Sequence, residues 1–188
     1  MSIRPIVITG EPVLHQRAAE VTEWNDDLKD LVEDMFDTMD EAPGVGLAAP
    51  QVGVGLRVFT YDYPDDDGNE RRGVIINPTL EVGPISTELP DEDTEAEGCL
   101  SVPGERFPLK RAEHIRVTGL DLEQNPVEIV AEGWYARIFQ HEFDHLDGTL
   151  YVDRLIEPYA SMAASAVEEF GWGVPGCSWL PGRDDIDA

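Results

Sequence analysis

Lysine is almost missing from this chain. Only Lys29 and Lys110 occur, and arginine supplies the rest of its 13 basic residues, which face 39 acidic ones for a formal net charge of -26. A surface so short of cations repels phosphate backbones, which excludes DNA binding over a broad face and disfavours docking on an anionic membrane. Long apolar runs are missing too. The start, Met1-Ser2-Ile3-Arg4-Pro5, has no signal-like apolar stretch, and no later segment is apolar for long enough to span a bilayer. Cysteine is scarce, and Cys99 and Cys177 cannot build a disulfide framework. These absences set the expectation of a cytoplasmic, reducing compartment, where a cysteine that works with histidines is more often chemical than structural. The acidic excess is first of all a solvated surface. Adaptation to a salty cytoplasm would produce the same balance.

What is present is enough for one core. A chain of 188 residues, 41% of them hydrophobic, predicts a single catalytic domain over residues 1–170. A Gly/Pro-rich tail, 171–188, should follow and be irregular. No internal repeat is visible. Residues 6–8 read as a short strand ended by Gly10-Glu11-Pro12. A helix is expected from about Asn25, its N-cap, to Asp40, because Leu28, Leu31, Val32, Met35, Phe36 and Met39 recur at spacings of three and four. Strands are expected at Leu56 to Tyr61, Val74 to Asn77, Ile115 to Leu120 and Val127 to Ala131. Pro64 to Asn69, including Asp65, Asp66 and Asp67, reads as a polar loop, and Pro90 to Glu95 as an exposed acidic stretch. A second helix should run from Gly133 to Leu146, and a third from near Pro158 to before Gly171. Strands first and few helices give an α+β fold: short antiparallel strands around a central helix, with an N-terminal and a C-terminal helix.

That central helix carries His141-Glu142-Phe143-Asp144-His145. Residues four apart share a helix face, so two imidazoles can converge on one ion with Glu142 beside it. A catalytic site of this kind takes three protein ligands and leaves a position for water. The residues alone leave three routes to the third ligand. A peptidase-like pattern would use Glu168 or Glu169. A longer histidine pattern has Gly148 at its glycine position but Tyr151 where its third histidine belongs. The remaining candidate is Cys99, whose thiolate suits soft or borderline ions, although a lone cysteine is often just a small buried hydrophobe. His15 and His114 have no such spacing and read as surface or capping residues.

Three segments taken together resemble the peptide deformylases: Gly44-Val45-Gly46-Leu47-Ala48-Ala49-Pro50-Gln51, Glu97-Gly98-Cys99-Leu100-Ser101, and Gln140-His141-Glu142-Phe143-Asp144-His145-Leu146-Asp147-Gly148. The resemblance runs from about Ile6 to Leu155. The tail after Tyr159 is similar only to some members, those of high-GC Gram-positive bacteria. It implies a metal on Cys99, His141 and His145, usually ferrous iron, with zinc, nickel or cobalt able to replace it. It implies hydrolysis of the N-formyl group from the formyl-methionine of newly synthesised proteins, with release of formate. Glu142 would be the general base and then the acid. The Gln51 side-chain amide and the Leu100 backbone N–H would hold the oxyanion.

The substrate would lie along Val45-Gly46 as an added strand, its methionine in a pocket of Val45, Trp134 and Ile138, with Arg106 near the entrance. Trp134, Ile138 and His141 share a helix face by their spacing. Asp144 points the wrong way to reach His141 and is expected to pair with Arg111. The partners implied are N-formylmethionyl nascent peptides and, at most, a transient ribosome contact, since Asp184, Asp185 and Asp187 make the tail acidic. A monomer is expected. A non-catalytic binder of formylated termini should lack Glu142 or Gln51, and both are present. A structural metal site should have a fourth ligand, and only Cys177 could offer one.

Overall fold

The structure is a computed structural model that describes residues 2–65 and 67–184. Met1, Asp66 of the polar loop, and Asp185 and Asp187 of the acidic tail lie outside the described residues. In chain order the elements are β1 (Ile6–Val7), α1 (Asp26–Glu41), β2 (Gly46–Ala48), β3 (Val58–Asp62), β4 (Arg72–Val82), β5 (Ala96–Cys99), β6 (Val102–Pro108), β7 (His114–Leu120), β8 (Pro126–Glu132), α2 (Gly133–Leu146), α3 (Tyr159–Glu169) and β9 (Ser178–Trp179). Five strands form an antiparallel sheet in the order β2-β3-β4-β7-β8, β5 and β6 pair with each other, and β1 pairs with β9. This is the α+β layout expected from the sequence.

Alternation along the strands puts a helix on each face of the sheet, because successive side chains of a strand point to opposite sides. Leu47, Val58 and Ile76 face α1 and pack with its Leu28, Leu31, Val32, Met35 and Met39. Ala48, Phe59, Tyr61 and Ile75, one residue out of step, face α2 and pack with Tyr135, Ala136, Ile138 and Phe139. The start of α1 follows its sequence signal: Asn25 Oδ1 accepts the Leu28 N–H at 3.0 Å, and Asp26 and Asp27 sit at the positive end of the helix dipole.

Several expectations need correction. β4 does not stop at Asn77 but continues to Val82 through a bulge between Ile76 and Thr79. Asn77 adopts φ 50 there, and its side chain bonds both backbone groups of Val21, at 2.8 and 2.9 Å, which steadies that conformation. Pro78 hid the continuation, since proline argues against a strand interior. β2, β5 and β6 were not expected as strands at all. Gly46, Gly98, Pro103 and Gly104 dilute their pattern, and pairing across the fold supplies what local propensity does not. The tail is not wholly irregular, because Ser178 and Trp179 pair with Val7 and Ile6. In the acidic stretch Asp91 to Thr94 are exposed, but Pro90 is buried and Glu95 is ion-paired to Lys110 at 2.6 Å.

Candidate metal centre

Helix α2 enters the molecule at Gly133, which turns the chain with φ 59 at the end of β8. The Gln140 side chain then locks the helix in place. Its Oε1 accepts the Ala112 N–H at 3.0 Å and its Nε2 donates to the Ala112 carbonyl at 2.9 Å. At the far end buried Arg57 donates to the Leu146 carbonyl at 3.0 Å, a cation at the negative pole of the dipole. Rotation and depth of α2 are thereby fixed, and with them the positions of His141, Glu142 and His145, all buried.

The Nε2 atoms of His141 and His145 lie 3.2 Å apart, and Cys99 Sγ, at the end of β5, lies 3.3 Å from His145 Nε2. The ligand atoms of these three residues all fall within 4.8 Å of one another, and among the described residues no other group of three such side chains converges. A tetrahedral ion with nitrogen at about 2.0 Å and sulfur at about 2.3 Å would hold its ligands roughly 3.3–3.6 Å apart. The residues present therefore fit one divalent ion in both spacing and donor chemistry. Glu168 and Glu169 are exposed at the end of α3, outside this group. Tyr151 is buried, with its ring stacked 6.1 Å from that of His141 and its hydroxyl donating to the Glu105 carbonyl. Both alternative third-ligand patterns are thus unassembled. His15 accepts the Gly10 N–H, and His114 is exposed near Glu132, so neither is part of a site.

A cavity of about 330 Å³ opens onto the cluster. Val45, Gly46, Gln51, Cys99, Leu100, Arg106, Trp134, Ile138, His141 and Glu142 line it. Ile138 is buried in its wall, while Val45 and Trp134 are 40% and 39% exposed at its rim and Arg106 is exposed. Of the residues that the deformylase resemblance singled out, all but His145 line this cavity, and His145 joins it through the ligand cluster; Glu168, Glu169, Tyr151 and Cys177 do not line it.

The sequence reading missed what holds His141. Its Nδ1 lies 2.6 Å from Oε1 of Glu97, which is buried in β5. Glu97 also accepts from Arg111 at 2.7 and 3.1 Å and from Arg137 at 3.0 Å. Burial alone would raise the Glu97 carboxyl, but the His141 hydrogen bond and charge and the Arg111 guanidinium outweigh it and hold the group well below the usual carboxylate range. Membership in the second motif was the signal the sequence offered; strand alternation offered none, because β5 is not legible as a strand and its register shifts between Gly98 and Cys99. Asp144 pairs with Arg111 at 2.6 Å, as expected, and also with Arg154 at 2.6 Å. Arg137 was not singled out either. It lines the cavity, with its guanidinium 5.0 Å from the Trp134 ring centroid.

Glu142 sits against the backbone of β2. A Cβ added at Gly46 would fall 2.4 Å from Glu142 Oε1, so only glycine leaves room for the carboxylate. Its Oε2 is buried with no hydrogen-bond partner among the described residues, and burial pushes the carboxyl up to about 7. Gln51 is oriented by the Ala48 N–H, which donates to Oε1 at 2.8 Å. That contact leaves Nε2 facing Cys99 Sγ at 3.7 Å and Ser101 Oγ at 3.4 Å.

Comparison with known proteins agrees with this geometry. The family described as polypeptide deformylase matches residues 3–160. A peptide deformylase of Mycolicibacterium paratuberculosis is 56% identical, with 97% of this chain and 96% of the relative covered. One from Rhodococcus opacus is 52% identical, with 97% and 95% covered. Among solved structures, a peptide deformylase from Legionella pneumophila superimposes with a TM-score of 0.75 at 39% identity, covering 90% of this chain and 96% of that one. One from Ehrlichia chaffeensis in complex with actinonin gives 0.77 at 36% identity, covering 90% and 96%. The matches to relatives run on through the tail, and the sources of the two sequence relatives are high-GC Gram-positive bacteria, the group that the tail resembles. The chain belongs to the polypeptide deformylase family.

Proposed function

We propose that this chain hydrolyses the N-formyl group from the formyl-methionine that begins newly synthesised proteins, releasing formate, which is the activity of its family. One observation carries the assignment of roles. A Cys/His/His cluster at ligand spacing opens onto a cavity where a buried carboxylate oxygen of Glu142 has no partner. Cys99, His141 and His145 would hold the divalent ion, ferrous iron in the cell, with zinc, nickel or cobalt able to replace it. Bound there, the ion would supply Lewis acidity and lower the pKa of a coordinated water from 15.7 to about 7.

The chain's own residues account for the rest. Glu142, beside the ligand His141 and with one buried carboxylate oxygen unpartnered, is placed to take a proton from water and return it to the leaving amine. Gln51 Nε2 is aimed into the site by the Ala48 anchor and, with the Leu100 backbone N–H, would stabilise the oxyanion. The substrate would add as a strand beside Val45-Gly46. β2 is the outer strand of its sheet, and its far edge has no strand partner among the described residues. The methionine side chain would enter between Val45, Trp134 and Ile138, with Arg106 at the mouth.

No helix among the described residues is long and apolar enough to cross a membrane. We place the protein in the cytoplasm as a monomer, its catalytic unit residues 1–170 followed by the 171–188 tail, acting on nascent chains with at most transient ribosome contact.

Formate release from formyl-Met-Ala-Ser by the iron-loaded protein tests this function. Glu142→Ala should lower it ~10²–10⁴-fold with metal retained, and Cys99→Ala should lose the metal. Wild-type protein that is metal-loaded yet inactive would overturn the proposal. Gly46→Ala should displace the Glu142 carboxylate and lower kcat at least ~10-fold with metal content unchanged, since misplacing a reacting group by about 1 Å costs on this scale or more.

A pH effect on stability follows from the raised Glu142 carboxyl. The folded, metal-free protein keeps a proton up to about 7 that the unfolded chain releases near its ordinary 4.5. Stability is therefore lost as pH rises through that window. In thermal melts of chelated protein, Glu142→Gln should gain Tm over wild type progressively from pH 5 to pH 7. A difference that stays flat with pH would contradict the shift.

A further inference from the structure

The Gly/Pro-rich tail has no place in the chemistry above, yet one of its side chains reaches the metal cluster's loop. β9 pairs with β1 and brings Trp179 inside, where it is 5% exposed. Its indole Nε1 donates to the Leu100 carbonyl at 2.9 Å. The same peptide unit carries the Ser101 N–H, which donates to Cys99 Sγ at 3.4 Å. A peptide unit is planar, so a contact that fixes the direction of its C=O fixes its N–H as well. Ser101 is held on its other side, where the Thr9 N–H donates to the Ser101 carbonyl at 2.8 Å. Both ends of the chain thus grip the Cys99-Leu100-Ser101 turn.

We propose that Trp179 is a positioning residue for the Cys99 ligand: its indole N–H orients the Leu100–Ser101 peptide so that the Ser101 N–H points at the sulfur. The inference rests on the metal site proposed above. A hydrogen bond to a ligand sulfur withdraws electron density from it and holds the side chain in its ligating direction, and residues that orient ligands in this way commonly govern metal affinity by 10–100-fold. A donor on the C=O also polarises the N–H of the same unit, strengthening the bond it makes to sulfur. The tail is then part of the metal centre's support as well as a cover for the core cluster that Trp179 joins.

The test uses the full chain loaded with Co²⁺ and reads the sulfur-to-cobalt charge-transfer band and the Co²⁺ dissociation constant by chelator competition. Trp179→Phe keeps the ring and removes the N–H. Trp172→Phe, a tail residue stacked on Phe170 at 4.7 Å, serves as the control for lost aromatic bulk. Trp179→Phe should move the band to longer wavelength and weaken Co²⁺ binding about tenfold, with both properties unchanged in Trp172→Phe. A wild-type band that Trp179→Phe leaves in place, with affinity within twofold, would overturn the relay while leaving the metal site standing. A wild type without the band would overturn the metal site and the relay together. Should Trp179→Phe not fold, the wild-type indole N–H resonance of Trp179, assigned by elimination through Phe variants of the other three tryptophans, gives the answer. It should shift on Zn²⁺ loading more than those of Trp24 and Trp172, and a shift no larger than theirs would overturn the relay.

Discussion

The contact on which the site depends is the one between Glu97 and His141. A histidine on a helix can ligate a metal only if its ring is held in one orientation, and at 2.6 Å the Glu97 carboxylate holds it. The same carboxylate joins three parts of the chain: β5 which carries it, α2 through His141 and Arg137, and the segment after β6 through Arg111. Buried charges are tolerable only when paired. Glu97 and Asp144 are matched by Arg111, Arg137 and the half-exposed Arg154, so that the network is anchored at its rim rather than sealed. Removing one partner from such a set typically costs about 3–5 kcal/mol. The arrangement is best understood as a device that fixes geometry, since isolated buried pairs add little net stability.

The sheet supplies the second constraint. Its alternating faces put α1 on one side and α2 on the other, so the helix with both histidines is seated by Phe59, Tyr61 and Ile75 rather than by the site itself. Other groups that line the cavity come from turns and strand ends: Cys99 closing β5, Gln51 on the 3-10 turn over Ala49–Val52, and Gly46 in β2. Rigid elements carry the ligands, and short connections bring donors to them. The lack of any Cβ on Gly46 is what lets strand and helix approach closely enough for Glu142 to reach the cavity.

Periodic apolar patterns made the helices legible. Gly133 to Leu146 follows its expected bounds, and α1 is displaced by one residue at each end. Patterns weakened by glycine and proline did not reveal β2, β5 and β6, although β2 and β5 carry parts of the first two motifs. Their pairing is decided by partners distant in sequence. The two histidines and Glu142 could be read from spacing on one helix. Cys99 could not be chosen over Glu168 by spacing alone, and it took the joint occurrence of three motifs to single it out. Glu97 went unassigned although it lies in the second motif, because its role appears only once β5 and α2 are side by side. Trp179 had no local signal at all, since its contacts depend on β9 returning to β1.

The most direct test of this account is the affinity of Glu97→Gln for Zn²⁺, measured by chelator competition alongside its Tm. Glutamine keeps the size of the side chain but removes the charge that holds the His141 ring and matches Arg111 and Arg137. The account predicts Zn²⁺ binding weaker by about 10–100-fold in a folded protein. Affinity equal to wild type would contradict it and would mean that the histidines are oriented by their helix alone.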